Sequence, residues 1–236
     1  MRVGILQADS VLPQFQKEHG DYPDMFCRIL GDAGLGIEFE TYAVVNGEYP
    51  INPDACDGYV ITGSKKSVYD DEPWIKDLSD YIRQLHGRRK KMVGICFGHQ
   101  LVAHLLGGKT EAASQGWGVG IHQSRIVQKK DFMDPAVEDF GLIVSHRDQV
   151  TELPVGAQLL AASEFCPNAM FVIDDHILAL QGHPEFTREY ALELMQMRAE
   201  LLGVNILHAG IESLQHELHS DMVSNWIVRF IAGDPA

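Results

Sequence analysis

The sequence predicts an α/β fold: an open, mostly parallel sheet flanked by helices, with a β-rich extension in the middle of the chain. Three observations carry this. Up to Gly107-Gly108, short apolar runs alternate with segments whose apolar residues recur at helical spacing. That alternation is what a parallel sheet covered on both faces requires. The middle of the chain instead strings short strands together with turns between them, and the tail from Thr187 onward is mostly helical.

The elements follow in order. Val3 to Gln7 is a short apolar run ending in a polar residue, as a buried parallel strand reads. Tyr22 to Leu35 places Tyr22, Met25, Phe26, Ile29 and Leu30 at helical spacing, with Gly34 and Gly36 as stop signals. Ile37 to Val45 returns to strand composition, and Gly58 to Thr62 is a further strand broken by Gly63. Trp74 to Leu85 reads as a helix with Pro73 at its start. Lys91 to Cys96 is an apolar strand, followed at once by a helix over Gly98 to Leu106. Val119 to Val127 alternates; Leu142 to Ser145, Gln158 to Ala162, Ala169 to Ile173 and Ile177 to Gln181 are short strands that extend the same sheet. Asp221 reads as the N-cap of a last helix, Val223 to Ile231. With no repeat, linker or low-complexity segment, residues 1–236 are expected to form a single domain.

A chain of 236 residues can bury roughly 70% of its unfolded surface and needs no disulfide or metal to fold. With 33 acidic and 19 basic residues the formal charge is −14. Such a field repels polyphosphate, which argues against nucleic acid and against an anionic membrane as partners. Cys27, Cys56, Cys96 and Cys166 are scattered with no CxxC pair, which favours a reducing compartment. The opening MRVGILQADS has no apolar signal core, and no run approaches about 18 apolar residues, so a cytoplasmic protein is expected.

The most informative segment is Val93-Gly94-Ile95-Cys96-Phe97-Gly98-His99-Gln100. A strand runs into a cysteine with glycines two residues before and after, and a helix begins immediately. This is the pattern of a nucleophile elbow, in which the glycines let a sharp turn close without Cβ clashes. The turn lifts the sulfur out at the carboxyl edge of the sheet, where open α/β sheets bind ligands. The unpaired N–H groups of the helix then favour a thiolate. A lone cysteine is more often a core residue; the paired glycines and the strand-to-helix switch reverse that balance. A thiolate needs a base, and the base needs orienting. Gln181-Gly182-His183-Pro184-Glu185-Phe186 supplies both at the end of an apolar strand. In an extended chain, positions 183 and 185 share a face, so Glu185 can hold the His183 imidazole in the needed tautomer. The alternative, a loop histidine beside an exposed glutamate, loses weight next to the elbow.

GICFGHQ together with QGHPE resembles the paired signatures of the class I glutamine amidotransferases, most strongly over Gly58 to Gln100 and Ser145 to Phe186. The resemblance implies a flavodoxin-like sheet. It also implies a Cys96-His183-Glu185 triad that hydrolyses a glutamine side-chain amide through a thioester. In the guanylate-synthetase branch, a Gly-Gly-Pro turn supplies an oxyanion-hole N–H; here Gly63-Ser64-Lys65 stands in its place. The hole would be the backbone N–H groups of Ser64 and Phe97, with Gly63 beside the substrate. Gln100 matches a family glutamine that helps hold the amino-acid end of the substrate. Ser145-His146-Arg147-Asp148 resembles a segment that lines the glutamine pocket through backbone contacts. Arg147 stands where that branch usually has glycine, which implies either different substrate contacts or a different surface loop.

No metal or cofactor is called for. His216 and His219 fall in HELH on an expected helix, without HExxH zinc spacing, and no GxxxxGK[ST] phosphate loop occurs. Three readings of function remain. The first is a free-standing hydrolase of small γ-glutamyl compounds, since ITGS and HPEF resemble the stand-alone γ-glutamyl peptidases of the family. The second is a glutaminase subunit that passes ammonia to a separate synthetase, because no synthetase region follows the motifs in this chain. The third is a regulatory or binding protein without turnover, which an intact triad disfavours.

Overall fold

The computed structural model describes residues 1–33 and 36–233. Three buried apolar runs, β1 (Arg2–Leu6), β3 (Gly58–Ile61) and β4 (Lys91–Ile95), and a more exposed, polar edge strand, β2 (Glu38–Tyr42), pair in parallel in the order β2-β1-β3-β4. Helices follow the strands: α1 (Pro13–His19) and α2 (Tyr22–Gly31) after β1, α3 (Pro73–Gly87) after β3, and α4 (Phe97–Leu105) after β4. α2 starts at a capping box in which Asp21 and Asp24 exchange side-chain bonds with each other's backbone. The expected end of that helix at Leu35 and its stop at Gly34 lie outside the described residues; Gly36 takes φ 57°.

The middle of the chain extends the same sheet. β6 (Gly118–Ile126), β7 (Asp139–His146), β9 (Ala157–Ala162), β10 (Met170–Ile173) and β11 (Ile177–Leu180) complete nine strands in the order β2-β1-β3-β4-β11-β10-β9-β6-β7. β11 joins β4 in parallel, and the strands beyond it pair antiparallel. β5 (Lys109–Ala112) and β8 (Asp148–Glu152) form a separate two-stranded antiparallel sheet. The tail folds as α5 (Arg188–Met197), α6 (Ala199–Ser213) and α7 (Ser220–Ala232).

Side-chain alternation on the strands places the core on both faces. Val3, Ile5, Val60 and Val93 point toward Phe26 and Leu30 of α2 and Trp226 and Ile227 of α7. Leu6, Tyr59, Ile61 and Met92 point the other way, toward α3 and α4. A third cluster packs α5 and α6 against β6 and β7.

Three elements escape the sequence pattern, and three expectations are corrected. α1, rich in Gln, Lys and Glu, carries too few apolar positions for periodicity to reveal it. β5 and β8 are too short and too polar to read as strands. The stretch Ile37 to Val45 is a strand only to Tyr42 and then closes a 3-10 turn at Val44–Asn46. Finally, HELH is not helical: residues 216–219 connect α6 to α7. His219, not Asp221, sits at the N-cap; its Nδ1 accepts a hydrogen bond from the Gly141 N–H at 2.9 Å, which draws it out of the helix. Asp221 lies in the first turn, where its charge still suits the helix dipole.

Candidate active site

The carboxyl ends of β3, β4 and β11 open onto one cavity of about 410 Å³. Cys96 lies at the centre of that edge. Its backbone takes φ 50° and ψ −98°, a conformation costing about 1–3 kcal/mol for a residue with a Cβ. The cost is met locally: the Cys96 N–H donates to Leu180 O at 2.8 Å, and its carbonyl accepts the first bond of α4 from Gln100 at 3.0 Å. The flanking glycines are required for close approach. A Cβ on Gly94 would sit 2.6 Å from the Gly98 carbonyl carbon, and one on Gly98 would sit 2.6 Å from Ile61 O. The helix therefore starts tight against β3, with Cys96 6% exposed at its N-cap.

His183 arrives from the end of β11. Its N–H donates to Ile143 O at 2.8 Å, which ties the segment to β7. The chain does not continue extended as the spacing suggested; it turns at Pro184–Glu185. The turn brings Glu185 Oε1 to 2.7 Å from His183 Nδ1, with both side chains nearly inaccessible. Phe186 stacks on the imidazole, ring centroids 4.0 Å apart and planes 11° from parallel. Burial by itself would pull the imidazole down. The Glu185 carboxylate and the Cys96 sulfur, as charged and hydrogen-bonded partners, overcome it and raise His183 to about 10. At neutral pH the ring is thus an imidazolium held between a carboxylate and a sulfur, a proton donor aimed into the cavity.

Gly63 completes the contact. A Cβ there would lie 3.0 Å from His183 Cε1 and 3.7 Å from Cys96 Cβ, so a larger residue would press the imidazole by a few tenths of an ångström. The next residues are pinned from outside by Asp9, whose carboxylate accepts from Lys65 N and Lys65 Nζ, each at 3.0 Å. Among the described residues no acceptor meets the Ser64 N–H, and the Phe97 N–H belongs to the first helical turn, which has no intrahelical acceptor. The Phe97 side chain is fully buried and packs against Trp74, away from the cavity.

The remaining expected residues converge on the same space. Gln100 is 3% exposed and locked: its Nε2 donates to Asp148 O at 2.7 Å and Gln181 Oε1 at 3.0 Å. Ser145 and His146 end β7 on the cavity wall. The His146 Nδ1 meets Asp148 O at 2.9 Å, and burial lowers this histidine to about 3, so it is neutral. Arg147 is exposed at the rim. Glu185 and Phe97 alone of the expected side chains do not line the cavity; both stand behind residues that do.

Sequence reading missed a second wall. Tyr22, Trp117, Phe186, Leu194 and Arg198 also line the cavity. The Arg198 guanidinium lies over the Trp117 ring, 5.6 Å from its centroid, and donates to Ser145 Oγ at 3.0 Å. Apart from Phe186, which closes the HPEF segment, no motif marks these positions; the i, i+4 spacing of Leu194 and Arg198 beyond it is the available signal. Among the described residues, Glu18, His19 and Glu193 bring possible metal-ligand atoms within 4.8 Å of one another, but none of the three lines this cavity. No described helix is long and apolar enough to cross a membrane.

The family model for glutamine amidotransferase class-I matches residues 24–197. Gamma-glutamyl peptidase 2 of Arabidopsis thaliana is 35% identical over 189 residues, covering 77% of this chain and 75% of the relative. GMP synthase [glutamine-hydrolyzing] of Bacillus subtilis is 32% identical over 178 residues, which cover 74% of this chain but 33% of that protein. In fold, a glutamine amidotransferase from Thermotoga maritima superimposes with a TM-score of 0.79 at 20% identity, covering 98% of both chains.

Proposed function

The chain belongs to the class I glutamine amidotransferase family of enzymes, and on that premise we propose that it hydrolyses γ-glutamyl amides, γ-glutamyl peptides above all, through a thioester on Cys96. The observation that carries the reading is the geometry of the elbow: Cys96 and His183 line one cavity, and Glu185 Oε1 holds the far ring nitrogen of His183 at 2.7 Å. The similarity to the Arabidopsis peptidases supports a peptide as the substrate.

The Cys96 thiolate adds to the γ-carbonyl carbon, and the carbonyl oxygen takes the negative charge. The Ser64 and Phe97 N–H groups are the donors available for that oxygen; one such donor contributes about 3 kcal/mol to the transition state. His183 gives its proton to the amide nitrogen, the C–N bond breaks and the amine leaves. The now neutral His183 takes a proton from water, the resulting hydroxide attacks the thioester carbonyl, and the C–S bond breaks to release glutamate. Glu185 fixes the ring and balances its charge throughout. Gly63, Gln100 and His146 shape the space for the γ-glutamyl end, and Ser145, bonded to Arg198, stands between that space and the α5 wall.

The test is steady-state glutamate release from purified protein given glutamine or γ-glutamyl dipeptides. Cys96→Ala is expected to lower it by about 10,000-fold or more. Release that survives the substitution would sink the mechanism.

A second reading, a glutaminase subunit serving a separate synthetase, draws support from one feature. Met197, Leu201 and Val204 are exposed around the α5–α6 junction and the kink at Gly203, close in sequence to the cavity residue Arg198. Negligible turnover of every γ-glutamyl compound, by a thiol that still reacts with a glutamine-like electrophile, would favour this reading over the first.

A further inference from the structure

The protein carries a formal charge of −14, yet the cavity lining reverses the sign: Lys65, Lys66, Arg147 and Arg198 face it against one carboxylate, Asp148. The two lysines are committed, Lys65 to Asp9 and Lys66 to Glu72. Asp148 is committed too, accepting from Ser67 Oγ at 2.5 Å. Among the described residues, neither Arg147 nor Arg198 has a carboxylate within ion-pair reach. Arg198 is the better placed of the two. It is half-buried, held flat over Trp117 and anchored through one N–H to Ser145, so most of the guanidinium's five donors remain available in a fixed orientation.

Its position in the chain says which end of a substrate it meets. The leaving amine must lie beside His183, which protonates it. From His183 the wall runs through Phe186, stacked on the ring, into α5, whose Leu194 lines the cavity; Arg198 follows one turn later at its C-cap. The opposite wall, Gln100 and the Asp148 segment, is bonded to itself and adjoins the elbow. Ammonia leaving from glutamine is small and has no use for a cation on the amine side; an amino acid or peptide leaving from a γ-glutamyl amide brings a carboxylate.

We infer that Arg198 binds the carboxylate of the leaving amino acid or peptide, which makes the preferred substrates γ-glutamyl peptides with a free C-terminal carboxylate. This rests on the γ-glutamyl hydrolase reading and specifies its leaving group.

The test compares γ-glutamyl-alanine with its C-terminal carboxamide, read as the ratio of kcat/KM values within each protein. For the unaltered chain the carboxylate is expected to win by roughly 10- to 100-fold, as a charge-assisted pair in a half-buried site implies. Arg198→Gln should bring the ratio near 1, mostly through KM, and Arg198→Lys should restore part of it. A ratio near 1 in the unaltered chain overturns the inference while leaving the hydrolase intact. So does an Arg198→Gln variant that slows both substrates equally and keeps the ratio, because the arginine would then hold the carboxylate of the γ-glutamyl group itself. Failure to cleave either dipeptide sinks the hydrolase reading and this inference together.

Discussion

The two walls of the cavity are built on opposite principles. On the elbow side most polar side chains are already bonded within the protein, and the Ser64 and Phe97 N–H groups are left unpaired. Gln100 is clamped by Asp148 and Gln181, Asp148 by Ser67, the Ser64–Lys65 turn by Asp9, and His183 by Glu185. On the α5 side, Arg198 makes one side-chain bond, Trp117 is half-exposed, and Met197 and Leu201 beside them face solvent. The first wall holds its geometry whether or not a substrate is present, as preorganised chemistry demands. The second has unspent bonding capacity, and a substrate's identity is decided where such capacity lies.

Substitutions separate the two. The largest effect belongs to Glu185→Gln: the ring loses its charged partner, the imidazolium is no longer held, and kcat is expected to fall by about 1,000-fold, read in glutamate release. Gly63→Ala comes next. Its Cβ would press His183 Cε1 at 3.0 Å, where tenths of an ångström matter, and kcat should fall by about 100-fold with the melting temperature little changed. Trp117→Ala acts on the other wall. It removes the platform under Arg198, raises KM for γ-glutamyl peptides by about 5-fold and leaves kcat nearly alone, as the loss of a cation–π contact predicts. Should Trp117→Ala lower kcat as far as Gly63→Ala does, the division between the walls fails.

The smallest effect is on stability. Burial holds His99 at about 4 and His146 at about 3, below the ordinary histidine value near 6.5. Below pH 6.5 the unfolded chain takes up protons that the folded chain refuses, so their contribution is whole above 6.5 and is lost as pH falls toward those values. His183 has the opposite sign: its contribution is whole below 6.5 and is lost as pH rises through about 10. A melting-temperature profile should therefore decline on both sides, by several degrees between pH 6.5 and 4, and His99→Gln should flatten the acid limb.

Much of this was legible in the residues. Buried parallel strands declare themselves as apolar runs because both faces are covered, so β1, β3, β4 and β11 could be found within a residue or two. The elbow could be found because its glycines answer a local steric demand, Gly94 against Gly98 and Gly98 against Ile61. The polar helix α1 and the short pair β5–β8 could not, since little in their composition distinguishes them from loop. HELH misled for a related reason: its residues favour a helix, and long-range bonds outweigh them, above all the pair exchanged between Gly141 and His219.

By itself, then, the sequence determined the α/β class and, through its paired motifs, the family, and it singled out Cys96, His183 and Glu185 as candidates, because each depends on patterns local in the chain or on local backbone sterics. Tertiary structure alone decided that His183 and Glu185 meet across a turn rather than along a strand. It alone decided that Gly63 packs against the imidazole, and that Trp117 and Arg198, 81 positions apart in the numbering, share one wall of the cavity. Those facts depend on contacts between segments remote in the chain, and no spacing rule encodes them.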